Sequence, residues 1–220
     1  MKKVYIETYG CTLNRADSDI MEGILRGHEF RVLGPDKIND ADVVIINTCT
    51  VKGPTENKIL NRLAKLKTQD RRLVVCGCMS VMKEKIRRVV PCAVLVWPAA
   101  IAYITDAVED ALSGRITEYK SGNRKETLNR IFTKPILRIP IGEGCTSSCY
   151  FCQTKIARPG LKSIPQNAVF SWIKHGVTKG AREVQLTAMD SGVYGIDICS
   201  NLTNLMRCIN AIDGSFRTRL

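Results

Sequence analysis

The stretch Val43-Val44-Ile45-Ile46 is an unbroken apolar run that ends at Asn47-Thr48-Cys49. A strand that is apolar on both faces is typical of a parallel sheet covered by helices on both sides. The stretch Leu73-Val74-Val75-Cys76 has the same character and ends at Gly77-Cys78. These two stretches therefore predict buried strands of a parallel sheet.

Strand and helix patterns alternate on both sides of these two stretches. Further strands are predicted over residues 4–9 and 93–97, and amphipathic helices over residues 14–26, 55–66, 81–90 and 100–112. Alternation of buried strands with helices favours an α/β fold with a doubly wound parallel sheet. We predict such a domain over residues 1–112.

A second unit is predicted after a change in composition. Residues 113–134 are rich in turn formers and charges and poor in apolar residues, which is typical of a linker. Strand and helix patterns then return, with strands over residues 136–141, 183–187 and 216–220 and helices over residues 165–175 and 201–211. We predict a second β/α unit over residues 135–220, in which the sequence stops at its third strand.

The charge of the chain favours a polyanionic partner such as nucleic acid. Lys and Arg number 33 against 21 Asp and Glu, which gives a net charge of +12. The excess is spread over both parts of the chain, so a generally basic protein without such a partner is the alternative.

The role of the ten cysteines depends on the cellular compartment in which the protein is expected. Glu7 interrupts the apolar stretch that a signal peptide would need, and no apolar stretch is long enough to span a membrane. We therefore expect a cytoplasmic protein that does not associate with membranes. Thiols stay reduced there, so its cysteines bind metal, take part in chemistry or pack in the core.

Three cysteines form the strongest motif in the sequence. Cys145, Cys149 and Cys152 have the spacing C-x₃-C-x₂-C, directly after a predicted strand. Thiolates hold iron–sulfur clusters, and three ligands would leave one iron of a cubane cluster open to another molecule. A zinc site would need a second ligand pair at short range, and none follows.

Three further cysteines each follow a predicted strand. Cys11, Cys49 and Cys78 would lie at the same edge of a doubly wound sheet, where such folds place their sites. They could hold a second cluster, or they could be three separate buried cysteines. Cys76 lies inside its strand and is interpreted as a packing residue.

Polar residues near the second unit's strands are further candidates. Asp190 and Ser191 follow its second strand, where they could contact substrate or cofactor, or where one of them could cap a helix. Lys155, Arg158 and Lys162 follow the cysteine motif. They could bind a phosphate or carboxylate, or form a solvated face.

Five segments together resemble the radical S-adenosylmethionine (SAM) methylthiotransferases. They are residues 8–14, Asn47-Thr48-Cys49, Gly77-Cys78-Met79, residues 143–158 and residues 190–197. The stretch from Tyr150 to Arg158, with Leu161-Lys162-Ser163, is most similar to the branch that acts on threonylcarbamoyladenosine in tRNA.

The resemblance implies a function and its cofactors. Cys145, Cys149 and Cys152 would hold a 4Fe–4S cluster that binds SAM, and Cys11, Cys49 and Cys78 a second 4Fe–4S cluster that carries or delivers sulfur. Phe151, Asp190 and Ser191 are candidate SAM contacts. The substrate would be N6-threonylcarbamoyladenosine next to the tRNA anticodon, converted to its 2-methylthio derivative. The second unit would be the first part of a partial (β/α) barrel.

Several alternatives stay open. The second unit is shorter than the family's barrel, so we expect a fragment, a truncated product or a domain completed by another chain. A non-catalytic iron–sulfur or RNA-binding remnant, a zinc-binding nucleic-acid module, and an enzyme acting on isopentenyladenosine or a ribosomal protein are the competing functions.

Overall fold

Six parallel strands form the central sheet of the first unit in the computed structural model. The structure describes residues 1–50, 53–122, 125–128, 130–131 and 135–220, and divides into two units, Met1–Arg130 and Ile131–Leu220. The strands of the first unit are β1 (Lys2–Thr8), β2 (Phe30–Val32), β3 (Val43–Thr48), β4 (Arg72–Gly77), β5 (Val94–Val96) and β6 (Glu118–Tyr119). Its helices are α1 (Thr12–Gly27), α2 (Gly53–Thr68), α3 (Lys83–Val89) and α4 (Ile104–Ser113).

The helices cover both faces of this sheet. Every residue of β3 is buried, and successive side chains of a strand point to opposite faces. Val43 and Ile45 pack in a core with α1 and α4, whereas Val44 and Ile46 pack in a second core with α2 and α3. Burial of such a side chain contributes about 1.5–3 kcal/mol. The predicted doubly wound parallel sheet is confirmed.

The strand order places a crevice beside the first strand. The order is β2-β1-β3-β4-β5-β6, so the chain passes from β1 to β2 on one side and returns to β3 on the other. In doubly wound sheets, ligands bind outside the carboxyl ends of the strands where the order reverses. Here that position lies between the carboxyl ends of β1 and β3.

Two short strands and one helix start differ from the sequence prediction. The strands β2 and β6 have three and two residues and were not predicted, because each is too short to show an alternating pattern. The predicted helix over residues 100–112 begins instead as a 3-10 turn, Pro98–Tyr103, and becomes α-helical at Ile104.

Part of the predicted linker packs on the first unit, so the predicted boundaries 1–112, 113–134 and 135–220 need correction. The carboxylate of Asp110 in α4 accepts hydrogen bonds from Arg115, Thr117 and Tyr119, each at 2.7 Å. Lys125 forms a buried ion pair of 2.6 Å with Asp17 of α1. This segment is held to the first unit by polar contacts. Because it contains few apolar residues, its sequence resembled that of a linker. Residues 123–124, 129 and 132–134 of the predicted linker lie outside the described residues.

The second unit contains a smaller parallel sheet. Strands β7 (Ile136–Pro140), β10 (Glu183–Thr187) and β11 (Arg217–Arg219) have the order β11-β10-β7, and β8 (Gly142–Glu143) pairs with β9 (Lys162–Ser163) in an antiparallel arrangement. Helices α6 (Gln166–Thr178) and α7 (Leu202–Asn210) pack on the three-stranded sheet, and α5 (Thr154–Ala157) is a single turn. The predicted β/α unit is confirmed. No described helix in either unit is long and apolar enough to cross a membrane.

Candidate metal centre

Three cysteines of the first unit lie at one edge of its sheet. Cys49 and Cys78 come directly after β3 and β4, and Cys11 follows three residues after the end of β1. These strands are neighbours, so the predicted placement at one edge is confirmed. Cys49 and Cys78 are buried, whereas Cys11 is exposed. The crevice between β1 and β3 therefore lies between Cys11 and Cys49.

The loop that carries Cys11 lies against Cys49. A Cβ atom at Gly10 would be 2.8 Å from the Cβ of Cys49 and 3.2 Å from its Sγ. Gly10 also has a φ of +133°, a conformation that side chains rarely adopt. A glycine before Cys11 is therefore required for the two loops to approach this closely.

The buried side chain of Asn14 joins all three cysteine loops. Its Nδ2 donates to the carbonyl oxygens of Thr48, at 2.5 Å, and Tyr9, at 3.3 Å. Its Oδ1 accepts a hydrogen bond from the Sγ of Cys78 at 3.7 Å. Buried amides need such partners, since an unpaired one costs free energy. This role of Asn14 was not predicted from the sequence, although a polar residue on the buried face of an amphipathic helix is a signal for such a role.

The turn before Cys78 is fixed by Thr48 and Gly77. The hydroxyl of Thr48 donates to the carbonyl oxygen of Cys76 at 2.5 Å and accepts from the amide of Met79 at 3.1 Å. Gly77 has a φ of +84°, and a Cβ there would be 2.7 Å from the backbone nitrogen of Thr48. The end of β3 thus positions the loop that carries Cys78.

Cys76 differs from its neighbour Cys78. Its thiol is fully buried and donates to the carbonyl oxygen of Ile46 at 3.6 Å and to the Sδ of Met21 at 3.7 Å. Burial, and then the charge of Asp17, raise the pKa of the Cys76 thiol. A thiol that stays protonated is a poor metal ligand. The interpretation of Cys76 as a packing residue is confirmed.

The cysteine loop of the second unit is closed at its base. It runs from Gly144 to residue 161, between the paired strands β8 and β9. Gly144, with a φ of +66°, packs against the carbonyl of Gly160, where a Cβ atom would not fit. The thiols of this loop are all free: those of Cys145 and Cys152 are half-buried and that of Cys149 is exposed. They can therefore be reached by an incoming iron–sulfur cluster.

Two of the basic residues after the motif stabilise this loop. Arg158 is buried and forms an ion pair with Glu143 of β8. Lys155 donates to the carbonyl oxygen of Ser147 within the loop. The structure thus excludes a solvated face for Arg158, and only Lys162 of the three is exposed.

The three candidate SAM contacts have different surroundings. Phe151 is 86% exposed in the cysteine loop. The Oδ1 of Asp190 accepts from the backbone amide of Gly192 at 3.0 Å, and the carbonyl of Ser191 accepts from the amide of Tyr194 at 3.2 Å. Asp190 therefore caps a turn, whereas the N-caps of the next two helical segments are Gly195 and Asn201, so the alternative of a helix cap is wrong for Asp190. Contact of these residues with SAM stays a prediction.

The thiols do not form a closed ligand set as they stand. Within the described ranges, no group of three His, Cys, Asp or Glu side chains is arranged to hold a metal ion. A cavity of about 570 Å³ lies at the amino ends of β4 and β5, away from these cysteines. The residues that line it include Lys67, Arg71, Arg72 and Cys92. Cluster binding by either set of cysteines stays a prediction.

Two solved structures of a radical S-adenosylmethionine methyltransferase, TsrM from Kitasatospora setae, share this fold. One, with cobalamin and a [4Fe-4S] cluster bound, has a TM-score of 0.60 and 13% identity over 94% of this chain and 52% of that chain. The other, with tryptophan substrate and a SAM analog bound, has a TM-score of 0.61 and 12% identity over 94% of this chain and 50% of that chain. At this identity, the likeness concerns the fold alone.

Sequence comparison gives a closer relationship. Residues 3–97 match the family described as uncharacterized protein family UPF0004. The chain is 40% identical to a probable threonylcarbamoyladenosine tRNA methylthiotransferase of Methanothermobacter thermautotrophicus, over 99% of this chain and 52% of that protein. It is 29% identical to the human threonylcarbamoyladenosine tRNA methylthiotransferase over 94% of this chain and 37% of that protein. The chain is thus similar to threonylcarbamoyladenosine tRNA methylthiotransferases over almost its whole length, and it spans about half the length of the archaeal relatives that it matches.

Proposed function

We propose that this chain carries the cluster-binding part of a tRNA methylthiotransferase. The reaction is conversion of N6-threonylcarbamoyladenosine, next to the anticodon, to its 2-methylthio derivative. The cofactors are two 4Fe–4S clusters and SAM. The names of the relatives and the radical SAM fold of the structural neighbours support this proposal.

Cys145, Cys149 and Cys152 would hold the cluster that binds SAM. Their thiols are free and accessible, and thiolates are the usual ligands of such clusters. The base of the loop is preorganised by the β8–β9 pair and by the ion pair of Arg158 with Glu143. These residues fix where the loop leaves the sheet, so that a bound cluster would stay beside the carboxyl end of β7.

Cys11, Cys49 and Cys78 would hold the second cluster. The contact between Gly10 and Cys49 and the hydrogen bonds of Asn14 bring their loops together. Two of the three thiols are buried, so the protein would shield this cluster from water on the side of the sheet. Cys11 would supply the exposed ligand.

In this proposal the cofactors supply the reactive groups, and the residues of this chain bind and orient them. When bound, the loop cluster supplies the electron that cleaves SAM, and the second cluster supplies sulfur, so the cofactors carry out the difficult steps. The observation that carries the proposal is the presence of three free thiols on one loop after the first strand of the second unit. The base of this loop is held by the β8–β9 pair and by the ion pair of Arg158 with Glu143.

The proposal is tested by complementing cells that lack the native tRNA methylthiotransferase. The 220-residue chain is compared with an extended version, to which the remaining sequence of a full-length relative is added at the C-terminus. The tRNA nucleosides of both strains are analysed by mass spectrometry. We expect the extended version to restore 2-methylthio-N6-threonylcarbamoyladenosine. We expect the 220-residue chain to bind iron and to bind SAM weakly but to transfer no methylthio group, because groups from several strand ends must hold SAM at once.

Two outcomes would contradict this proposal. Methylthiolation of isopentenyladenosine instead would show that the branch is wrong. Absence of any product from the extended version, with both clusters present by iron and sulfide analysis, would favour a non-catalytic iron–sulfur or RNA-binding protein.

A further inference from the structure

The two helical faces of the first unit carry opposite charge. Helices α2 and α3 lie on one side of the sheet and together contain two Glu and eight basic residues, which are Lys58, Arg62, Lys65, Lys67, Lys83, Lys85, Arg87 and Arg88. Helices α1 and α4 lie on the other side and contain two Arg and six acidic residues, which are Asp17, Asp19, Glu22, Asp106, Glu109 and Asp110. Among the residues of these four helices, the excess of positive charge therefore lies on the side of α2 and α3.

The basic residues of α2 and α3, which we call the basic face, lie on two helices that pack beside each other. Ile59 and Leu63 of α2 and Ile86 of α3 are packed in the same core. An ion pair of 2.6 Å between Lys85 and Glu56 links the two helices at the surface. A single extended partner could therefore contact both helices.

Helix stability does not account for the whole basic face. Basic residues in the last turn of a helix are favourable, which explains Lys65, Lys67, Arg87 and Arg88. Lys83 and Lys85, however, lie in the first turn of α3, where the helix dipole disfavours positive charge. The ion pair with Glu56 accounts for Lys85, whereas the dipole of α3 does not account for Lys83.

Ion pairs within the protein neutralise only part of the basic face. In the described part of the chain, Arg62 pairs with Glu7 at 2.9 Å, Lys85 with Glu56, and Lys83 with Glu84 at 4.0 Å. Lys65, Lys67 and Arg88 are exposed to solvent. The face therefore keeps positive charge that a polyanion could neutralise.

The basic face reaches the edge of the sheet that carries the cysteines. The ammonium group of Lys58 lies 5.8 Å from the centre of the Tyr9 ring, and Tyr9 precedes Cys11 by two residues. The hydroxyl of Tyr9 donates to Glu7, which pairs with Arg62. A partner that binds along α2 would therefore end beside the loop of Cys11.

We infer that the basic face of α2 and α3 binds the phosphate backbone of RNA and leads it toward the edge that carries Cys11, Cys49 and Cys78. This inference deepens the proposed function, on which the identity of the RNA as tRNA rests. Lysine and arginine bind phosphates by displacing condensed counterions, so the affinity of such a surface falls steeply with salt concentration.

The test uses the 220-residue chain and an RNA hairpin with the sequence of an unmodified tRNA anticodon stem and loop. Affinity is measured by fluorescence anisotropy over a series of salt concentrations. Lys65→Glu with Arg88→Glu changes the basic face, and Arg26→Glu with Lys120→Glu makes the same change of charge away from it. All four residues are exposed, and circular dichroism checks that each variant folds.

We expect the double variant of the basic face to bind the hairpin about tenfold more weakly, and the slope of log affinity against log salt to become less steep by about two. The control variant should keep the affinity and slope of the unchanged chain. Equal loss in both variants would show attraction by net charge alone and would overturn the inference, as would no loss in either. Equally tight binding of polyglutamate, lost in the same variant, would indicate an acidic protein partner and would also overturn it.

This experiment needs neither SAM nor iron, so its result is independent of catalysis. Hairpin binding that maps to the basic face, without methylthiolation by the extended version, would contradict the proposed function alone. Methylthiolation that survives in the extended version with the basic-face substitutions, together with unchanged hairpin binding, would contradict the inference alone.

Discussion

The side-chain amide of Asn14 donates a hydrogen bond of 2.5 Å to the backbone carbonyl of Thr48, so the start of α1 is tied to the end of β3. The same side chain contacts the carbonyl of Tyr9 and the thiol of Cys78. One buried amide therefore sets the relative positions of three loops, each of which carries a cysteine.

Replacing Asn14 by Ala should destabilise the protein by about 1–3 kcal/mol, because buried hydrogen-bonding groups would lose their partner. The free energy of unfolding is measured by urea denaturation. Asn61→Ala, at an exposed position of α2, is the matched control and should change stability little. Equal stability of the two variants would show that the Asn14 hydrogen bonds do not hold the loops.

Replacing Gly77 by Ala should also be destabilising, by more than about 1 kcal/mol, because φ is +84° there and the new Cβ would contact Thr48. Gly34→Ala is the control, since nothing lies within 4 Å of the added Cβ. Thermal unfolding of both variants and their iron content after anaerobic reconstitution are compared. If Gly77→Ala matches the control in both measurements, the turn before Cys78 is not under the constraint described above.

Replacing Cys145, Cys149 and Cys152 together by Ala should halve the iron and sulfide bound after anaerobic reconstitution, because the second set of cysteines stays intact. Replacing Cys11, Cys49 and Cys78 should remove the other half. Cys92, Cys199 and Cys208, replaced together, provide the control and should leave the iron content unchanged. Full iron in the first triple variant would contradict the assignment of the loop.

Asp110 should contribute to stability in a pH-dependent manner. Burial by itself raises the pKa of this carboxyl. The hydrogen bonds from Thr117, Tyr119 and Arg115 lower the pKa by more than burial raises it, so the pKa in the folded state lies below its usual value. The stabilisation is therefore present above about pH 4, the pKa in an unfolded chain, and is lost as the pH falls below that value.

This pH dependence is tested with Asp110→Asn, by measuring the free energy of unfolding over a series of acidic pH values. The variant should lose less stability on acidification than the unchanged chain does. Asp106→Asn, at an exposed position of the same helix, should behave like the unchanged chain. Parallel curves for all three proteins would show that the hydrogen bonds to Asp110 do not favour its ionised form.

The sequence was sufficient for the main elements of the fold. Apolar runs such as Val43–Ile46 can be buried only between two layers of helices, so they specify a doubly wound sheet without knowledge of contacts. The position of Cys11, Cys49 and Cys78 at one edge follows from the rule that parallel strands all end on the same side. These predictions depend on local patterns, which are visible in a sequence.

Features that depend on contacts between distant residues could not be predicted. The pairing of Lys125 with Asp17 joins residues separated by 108 positions, and neither residue lies in a distinctive pattern. The two-residue strand β6 pairs with β5, and the hydrogen bond from Tyr119 of β6 to Asp110 of α4 holds it in this position. Asn14 was overlooked because its role appears only when three separate loops are assembled around it.

The attachment of Arg115, Thr117, Tyr119 and Lys125 to α1 and α4 changes how this protein can be divided for biochemical work. A chain cut after residue 112 would lose Arg115, Thr117 and Tyr119 from around Asp110, and Lys125 from Asp17. Two carboxylates would then lose the cations beside them inside the fold, which is strongly destabilising for a buried charge. A recombinant first unit that ends at Arg130 keeps these partners, and is the shorter version to express for studies of the Cys11, Cys49 and Cys78 site.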